Sequence, residues 1–190
     1  VKYVPKLWIY ALAALVLALN FSLIFDNVLW GDECFSANTA KKDVDGILQV
    51  MYYWDNHPPL HYFIASRFLK LWWFIFPNEE GNFEPVQALS LLYVTISILL
   101  IWHILSRFRI FRTNRKHSLI ILCFTAFQPS LIISSAFINN DPLALMLMLL
   151  TMDLAFSWFA DQKTLYGICA AAAFGLAMMT KKSSAIIAFP

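Results

Sequence analysis

Long, uninterrupted runs of apolar residues dominate this chain of 190 residues. Five of them lie at about residues 7–25, 86–105, 118–138, 142–160 and 165–180. An α-helix of about 20 residues crosses the hydrocarbon core of a bilayer, and the runs reach or approach that length. The pattern predicts an all-α, multi-pass transmembrane helical bundle, with the whole chain forming the N-terminal part of one transmembrane domain.

The segment 26–85, between the first and second runs, has a different pattern. Asp45 is placed to cap a short helix. Over residues 60–76, apolar side chains recur at helical spacing, while Arg67 and Lys70 share a polar face. Helices of this kind lie in the plane of the membrane interface. We therefore expect an amphipathic, juxtamembrane helical loop that contacts lipid.

The basic residues predict the orientation. The connection 106–117 contains no acid and five basic residues, namely Arg107, Arg109, Arg112, Arg115 and Lys116. Short loops rich in Lys and Arg remain on the cytoplasmic side. The loop 26–85 is then on the outer side, together with nine of the twelve acids of the chain. Acidic and basic residues therefore separate across the predicted membrane.

Composition agrees with this assignment. Hydrophobic residues make up 60% of the chain and charged residues 14%, whereas soluble domains are about half apolar and about a quarter charged. The net charge of +2 gives no reason to expect a nucleic-acid partner. The three cysteines fit neither a metal site nor a disulfide framework. We expect an integral membrane protein.

Two polar groups in the outer loop are candidates for chemistry. Asp32 and Glu33 are adjacent carboxylates just beyond the first run, and such a pair suits a general base or a metal site. Taken alone, solvated loop acids are the commoner explanation. His57 and His61 flank two prolines that disfavour a regular helical pair, so a rigid turn is an alternative to a histidine site.

Two further groups lie at the outer ends of later runs. Asp141 is expected to cap the fourth run with Pro142 in its first turn, and it could face the same site as Asp32. Lys181 and Lys182 follow the fifth run on the side where basic residues are disfavoured. They either extend to lipid headgroups or hold a lipid-linked phosphate.

In their order and spacing, these groups resemble the landmarks of one enzyme class. The stretch Asp55-Asn56-His57-Pro58-Pro59-Leu60-His61-Tyr62 resembles the His-Pro-Pro-Leu signature of GT-C-type membrane glycosyltransferases. Gly31-Asp32-Glu33, Asn140-Asp141-Pro142 and the segment 175–181 look like other landmarks of the same families. The likeness is to bacterial relatives of protein O-mannosyltransferases and of the aminoarabinose transferase that modifies lipid A.

The resemblance implies transfer of a sugar, hexosyl or pentosyl, from a polyprenyl-phosphate-linked donor at the outer face. It implies that Asp32 and Glu33 are the catalytic carboxylates, with Asp32 as the base or the acceptor-binding group. The substrate-binding residues that it implies are His57, His61, Asp141, Lys181 and Lys182. Lys182-Ser183 departs from many relatives, so either lysine is a candidate for the donor phosphate. A divalent metal ion bridging Asp32, Asp141 or His57 is a further expectation.

The expected acceptors are a lipid, a glycan or a protein. The expected membrane is the bacterial plasma membrane, or the endoplasmic reticulum membrane if the protein is eukaryotic. Because usual family members are longer, we expect a fragment that can be inactive alone.

The alternative is a non-catalytic membrane protein, such as a transporter half or an assembly subunit. Only Asp153 favours a transporter, because an acid within an apolar run usually faces a partner or a cavity.

Overall fold

The computed structural model describes residues 7–25, 29, 31–54, 57–79, 81–108 and 115–182. These residues form helices and no strands, which confirms the all-α prediction. The helices are α1 (Leu7–Phe25), α2 (Gly31–Ala40), α3 (Val44–Tyr53), α4 (Leu60–Ile75), α5 (Glu84–Arg107), α6 (Arg115–Ala126), α7 (Pro129–Ala136), α8 (Asp141–Asp161) and α9 (Thr164–Met178). A 3-10 turn, Pro77–Glu79, precedes α5.

Membrane-length helices occur where the apolar runs predict them. Within the described part of the chain, α5 and α8 are each long and apolar enough to cross a bilayer, and α9 is a shorter apolar helix. Helix α1 covers the first predicted run in full. The division of the chain into five spans and one outer loop stays a prediction.

The run at 118–138 is two helices rather than one. Its two parts, Leu119–Ala126 and Pro129–Ala136, are bent by 50° relative to each other. Pro129 causes the break, because proline lacks an N–H and disfavours helical backbone in the residue before it. Gln128 is accordingly extended, with ψ of 128°. If the pair forms one span, the described chain has three that meet the length and composition requirement.

Helix α5 is at the centre of the bundle. Its residues Val94 and Ile98 pack against Val16 of α1 and Leu122 of α6. Leu89 and Tyr93 of α5 share a second buried cluster with residues of α8 and α9. The packing of these apolar side chains fixes the relative positions of the helices, since van der Waals contacts hold helices together in a membrane.

A polar network fixes the register of α5 and α8. Nδ1 of His103 lies 2.9 Å from the carboxylate of Asp153. Nε of Arg107 donates to the same carboxylate at 2.8 Å, and its Nη2 donates to Ser157 Oγ at 2.8 Å. His103–Asp153 and Arg107–Ser157 are both 50 residues apart, so the two helices run parallel. Asp153 therefore has the partner that an acid within a membrane span requires.

The segment between α1 and α5 packs onto the end of the bundle. Ala37 of α2 and Leu69 of α4 share a buried cluster with Val86 of α5 and with Ile138. Most of the described part of segment 26–85 is therefore helical, as the sequence predicts, and it packs against α5.

Helix α3 begins with a different cap from the one that the sequence favours. The cap of α3 is Asp43, whose Oδ1 accepts from Gly46 N at 2.9 Å, and not Asp45 as the sequence analysis expects. Asp43 is the cap because its backbone is extended, as an N-cap requires, whereas Asp45 already lies in the first turn.

Helix α4 exposes part of its apolar side. Phe74 and Leu71 are exposed to 83% and 56%. These apolar side chains remain available for the predicted contact with lipid.

Candidate active site

The two candidate carboxylates lie in the first turn of α2 but in different surroundings. Asp32 is exposed, whereas Glu33 is 3% exposed. Oε1 of Glu33 accepts a hydrogen bond from the backbone N–H of Ile138 at 2.8 Å, across 105 residues of sequence. Glu33 thus attaches the start of α2 to the turn before α8. Asp32, one residue away, is left facing solvent.

The turn before α8 presents Asp141 at the surface. Asp141 is the first residue of the helix, and its backbone N–H donates to Oδ1 of Asn139 at 2.9 Å. The expectation that Asp141 is the N-cap is wrong, because Asn140 is the cap residue. Since the cap lies one position earlier, the Asp141 side chain is not used by the helix backbone, and it is 50% exposed.

The chain after α9 joins the same turn. Nδ2 of Asn140 donates to the carbonyl oxygen of Thr180 at 3.2 Å. The ammonium group of Lys181 forms an ion pair with Asp141. Lys182 is exposed in the turn that follows. Asp141 and Lys181, predicted separately to face one site, are therefore in direct contact.

The two histidines have different environments. Helix α4 begins at Leu60, so His57 lies outside it and is exposed, as the two prolines predict. The backbone N–H of Leu60 donates to the carbonyl oxygen of Met179 at 3.1 Å. This bond attaches the start of α4 to the end of α9, next to Lys181.

His61 is buried, with 1% of its surface exposed. Neither of its ring nitrogens has a hydrogen-bond partner among the described residues. Burial lowers the pKa of His61 to about 4, against the opposing effect of the negative charge on Asp141. The imidazole is therefore neutral near pH 7. The sequence places a histidine here but gives no sign of this isolation.

Four segments that are distant in sequence thus meet at one end of the bundle. They are the start of α2, the start of α4, the turn before α8 and the chain after α9. The assembly offers an exposed carboxylate, a buried carboxylate fixed to backbone, and a cation paired with an acid. Such a set can take up a proton and hold an anion close together.

A family comparison identifies the enzyme class. The family model described as dolichyl-phosphate-mannose-protein mannosyltransferase matches residues 56–190. The chain belongs to this family. It is therefore a membrane glycosyltransferase of the GT-C type, as the resemblance of its motifs predicts. Neither the comparison with curated proteins nor that with solved structures gave a match.

The region matched by the mannosyltransferase family includes most of the site. His57, His61, Asp141, Lys181 and Lys182 lie within residues 56–190, whereas Asp32 and Glu33 precede them. The hydrogen bond from Ile138 to Glu33 connects the preceding segment to the matched one. Glu33 is thereby joined to the matched region, and Asp32 is its neighbour in the first turn of α2.

Other polar residues lie outside this assembly. Asp153 pairs with Arg107 in α5, far along α8 from Asp141. Asp55 and Asn56, part of the signature-like stretch, lie outside the described residues. Within the described ranges, no group of three or more His, Cys, Asp or Glu side chains is arranged to hold a metal ion. A divalent ion at Asp32, Asp141 or His57 stays a prediction.

Proposed function

We propose that this chain transfers a sugar from a polyprenyl-phosphate-linked donor to an acceptor hydroxyl at the outer face of the membrane. The family supports the transferase chemistry, and the donor in the family's description, mannose on a dolichyl phosphate, is the first to test. The position of the site supports the outer face, because the site lies at the end of α5 opposite to Arg107 and the basic connection.

Asp32 is the general base of the proposed reaction. It takes the proton of the acceptor hydroxyl while the acceptor oxygen forms a bond to the anomeric carbon of the sugar. The bond between that carbon and the phosphate oxygen breaks, and both of its electrons leave with the polyprenyl phosphate. Exposure of Asp32 suits this role, because a base must reach the proton that it removes.

Lys181 stabilises the leaving phosphate. Its ammonium group is held at the outer end of α9 by Asp141, and its side chain is 35% exposed. A positioned cation stabilises negative charge as it develops on a leaving group. Asp141 keeps Lys181 in place before the donor arrives, and the phosphate then replaces or shares this carboxylate.

Glu33 is a positioning residue in this scheme. Its buried carboxylate already accepts from Ile138, so it fixes Asp32 relative to the turn that carries Asp141. His57 lies at the exposed edge and contacts the acceptor. Lipid, glycan and protein hydroxyls all suit such an open edge, and the bacterial plasma membrane or the endoplasmic reticulum membrane provides the donor.

A transporter function loses its main support. Asp153 is the one residue that favoured it, and its carboxylate is paired with Arg107 and His103. Its position within a span is accounted for by this structural network.

The observation that carries the proposal is the meeting of four separate motifs at one end of the bundle. The test is sugar transfer from polyprenyl-phosphate mannose by the full-length protein in proteoliposomes. Asp32→Asn should reduce the initial rate by about a hundredfold or more, the usual range for loss of a general base. Asp45→Asn is the matched control, since Asp45 is also an exposed acid in the first turn of a short outer helix. Equal rates for the two variants would contradict the assignment.

A further inference from the structure

Polar side chains without partners are buried just beneath the site. Within the described part of the chain, the buried polar atoms that lack a hydrogen-bond partner belong to His61, Trp73, Gln87, Ser90 and Tyr93. Native proteins pair nearly all such groups, and each exception requires an explanation. Three of the five lie on α5, at positions 87, 90 and 93. That spacing places them along one side of a helix.

The register of the helices places these three residues beside the site. Helices α5 and α8 are aligned with an offset of 50 residues. Ser90 is therefore level with Asn140, and Tyr93 with Leu143. The packing of Tyr93 against Leu143 agrees with this alignment. Gln87 follows Val86, which packs against Ile138. The polar side of α5 thus runs along the turn that carries Asp141.

His61 approaches the same region from α4. It lies one turn before Ala65, which shares a buried cluster with Val86 and Ile138. The preceding residue, Leu60, packs in the cluster that contains Tyr93. Trp73 packs against the same buried cluster, but it lies in the last turns of α4, twelve residues after His61. His61, Gln87, Ser90 and Tyr93 therefore lie on the parts of α4 and α5 that adjoin the helix ends at the site.

The chemistry of these groups favours one kind of ligand. An imidazole, a carboxamide and two hydroxyls can each donate and accept hydrogen bonds, and the last three carry no charge near pH 7. A neutral ligand rich in hydroxyl groups can satisfy all of them. An anion such as phosphate calls instead for a cation, which Lys181 supplies at the surface above.

We propose that Gln87, Ser90, Tyr93 and His61 form a subsite for the hydroxyl groups of the transferred sugar. This inference rests on the proposed function, since it assumes that a glycosyl donor binds at Lys181. Because the four groups are shielded from solvent, the sugar reaches them only after the helices around them separate.

The test separates recognition of the sugar from recognition of the lipid phosphate. In the full-length protein, Ser90→Ala and Tyr93→Phe should each lower kcat/KM for polyprenyl-phosphate mannose by about two- to tenfold, the cost of one neutral hydrogen bond. Binding of polyprenyl phosphate without a sugar should not change. The melting temperature should stay the same or rise, because each substitution removes a buried polar group that has no partner.

Ser97→Ala is the matched control. Ser97 is buried on the same helix, but its Oγ donates to the carbonyl oxygen of Tyr93 at 2.8 Å, so its hydroxyl is already used. This variant should keep the wild-type kcat/KM.

Three results would overturn the inference. One is unchanged kcat/KM in both Ser90→Ala and Tyr93→Phe, in a wild type that transfers the sugar. Another is a lower melting temperature with normal transfer, which would indicate that the groups hold structural water. The third is equal weakening of both lipids, which would place the phosphate here. A wild type that transfers no sugar from polyprenyl-phosphate donors of either a hexose or a pentose would contradict the proposed function, and the sugar subsite with it.

Discussion

Glu33, in the first turn of α2, accepts a hydrogen bond from the backbone N–H of Ile138, 105 residues further along the chain. The bond is buried, and it connects the segment that carries Asp32 with the turn that carries Asp141. In the proposed scheme, Glu33 therefore positions these two segments relative to each other.

This relationship predicts a difference between two substitutions of Glu33. Glu33→Ala leaves the Ile138 N–H buried and unpaired, which should cost about 1–3 kcal/mol of stability and reduce transfer. Glu33→Gln keeps an oxygen that can accept the same bond, and should retain most of both. Thermal unfolding and initial rates of the two purified variants check this. Equal loss of activity in both, at unchanged stability, would instead give Glu33 a direct role in the chemistry.

The ion pair between Lys181 and Asp141 predicts which lysine binds the donor phosphate. Lys181→Ala should lower kcat/KM for polyprenyl-phosphate mannose by about tenfold or more, because hydrogen bonds to charged groups are stronger than neutral ones. Lys182→Ala changes the neighbouring, exposed lysine and should have little effect. Steady-state kinetics of both variants decide the matter. A larger effect at Lys182 would transfer the role to that residue.

Burial of His61 predicts loss of stability in mild acid. Its pKa falls from 6.5 to about 4 in the folded protein, so the unfolded chain takes up a proton in this range before the folded one does. Stability is therefore complete above pH 6.5 and declines as the pH falls towards 4, by at most about 1.4 kcal/mol per pH unit. Asp141 and its partner Lys181 are the nearby charges that modulate this effect.

The comparison of wild type with His61→Leu isolates this contribution. The variant has no imidazole to protonate, so its unfolding free energy should depend less on pH between 6.5 and 4. Denaturation measured at several pH values gives the two slopes. Identical slopes would show that folding does not lower the pKa of His61, which would contradict the prediction.

The Asp153 network should affect stability and leave the site unchanged. Asp153→Ala leaves Arg107 without its ion-pair partner, and should lower stability by about 1–3 kcal/mol, less than for a fully buried pair because Arg107 is 28% exposed. Transfer per folded molecule should stay within about twofold of wild type. Asp161→Asn, at an exposed acid of the same helix, is the control. A selective loss of transfer in Asp153→Ala would connect this network to the reaction.

Hydropathy predicts much of the fold, because a bilayer-length helix must be apolar along its whole length. The runs at 86–105 and 142–160 lie inside α5 and α8. Counting apolar residues does not predict the helix break at Pro129, although the proline itself indicates one. Helix caps are less predictable: Asp43 and Asp45 are equally suitable residue types, and backbone geometry decides between them.

The sequence predicts which residue types could form the site, but it predicts their burial and contacts less well. Local sequence names Asp32, Asp141 and Lys181 as candidates, but contact between the last two depends on how α8 and α9 pack. The partners of Asp153 are 46 and 50 residues away, beyond any local pattern. Ser90 and Tyr93 look like ordinary members of an apolar run until their burial and lack of partners are known.

Cysteine labelling tests whether Asp32 and Asp141 belong to a single site on the outer face of the membrane. In a full-length background without Cys34, Cys123 and Cys169, cysteine is placed singly at Asp32, Asp141 or Asp161, all of which are exposed. A membrane-impermeant maleimide is then applied to intact cells or to sealed vesicles of known orientation. A single outer site predicts labelling at positions 32 and 141 from outside, and at 161 only after permeabilisation. Labelling of 32 and 141 from opposite sides would contradict it.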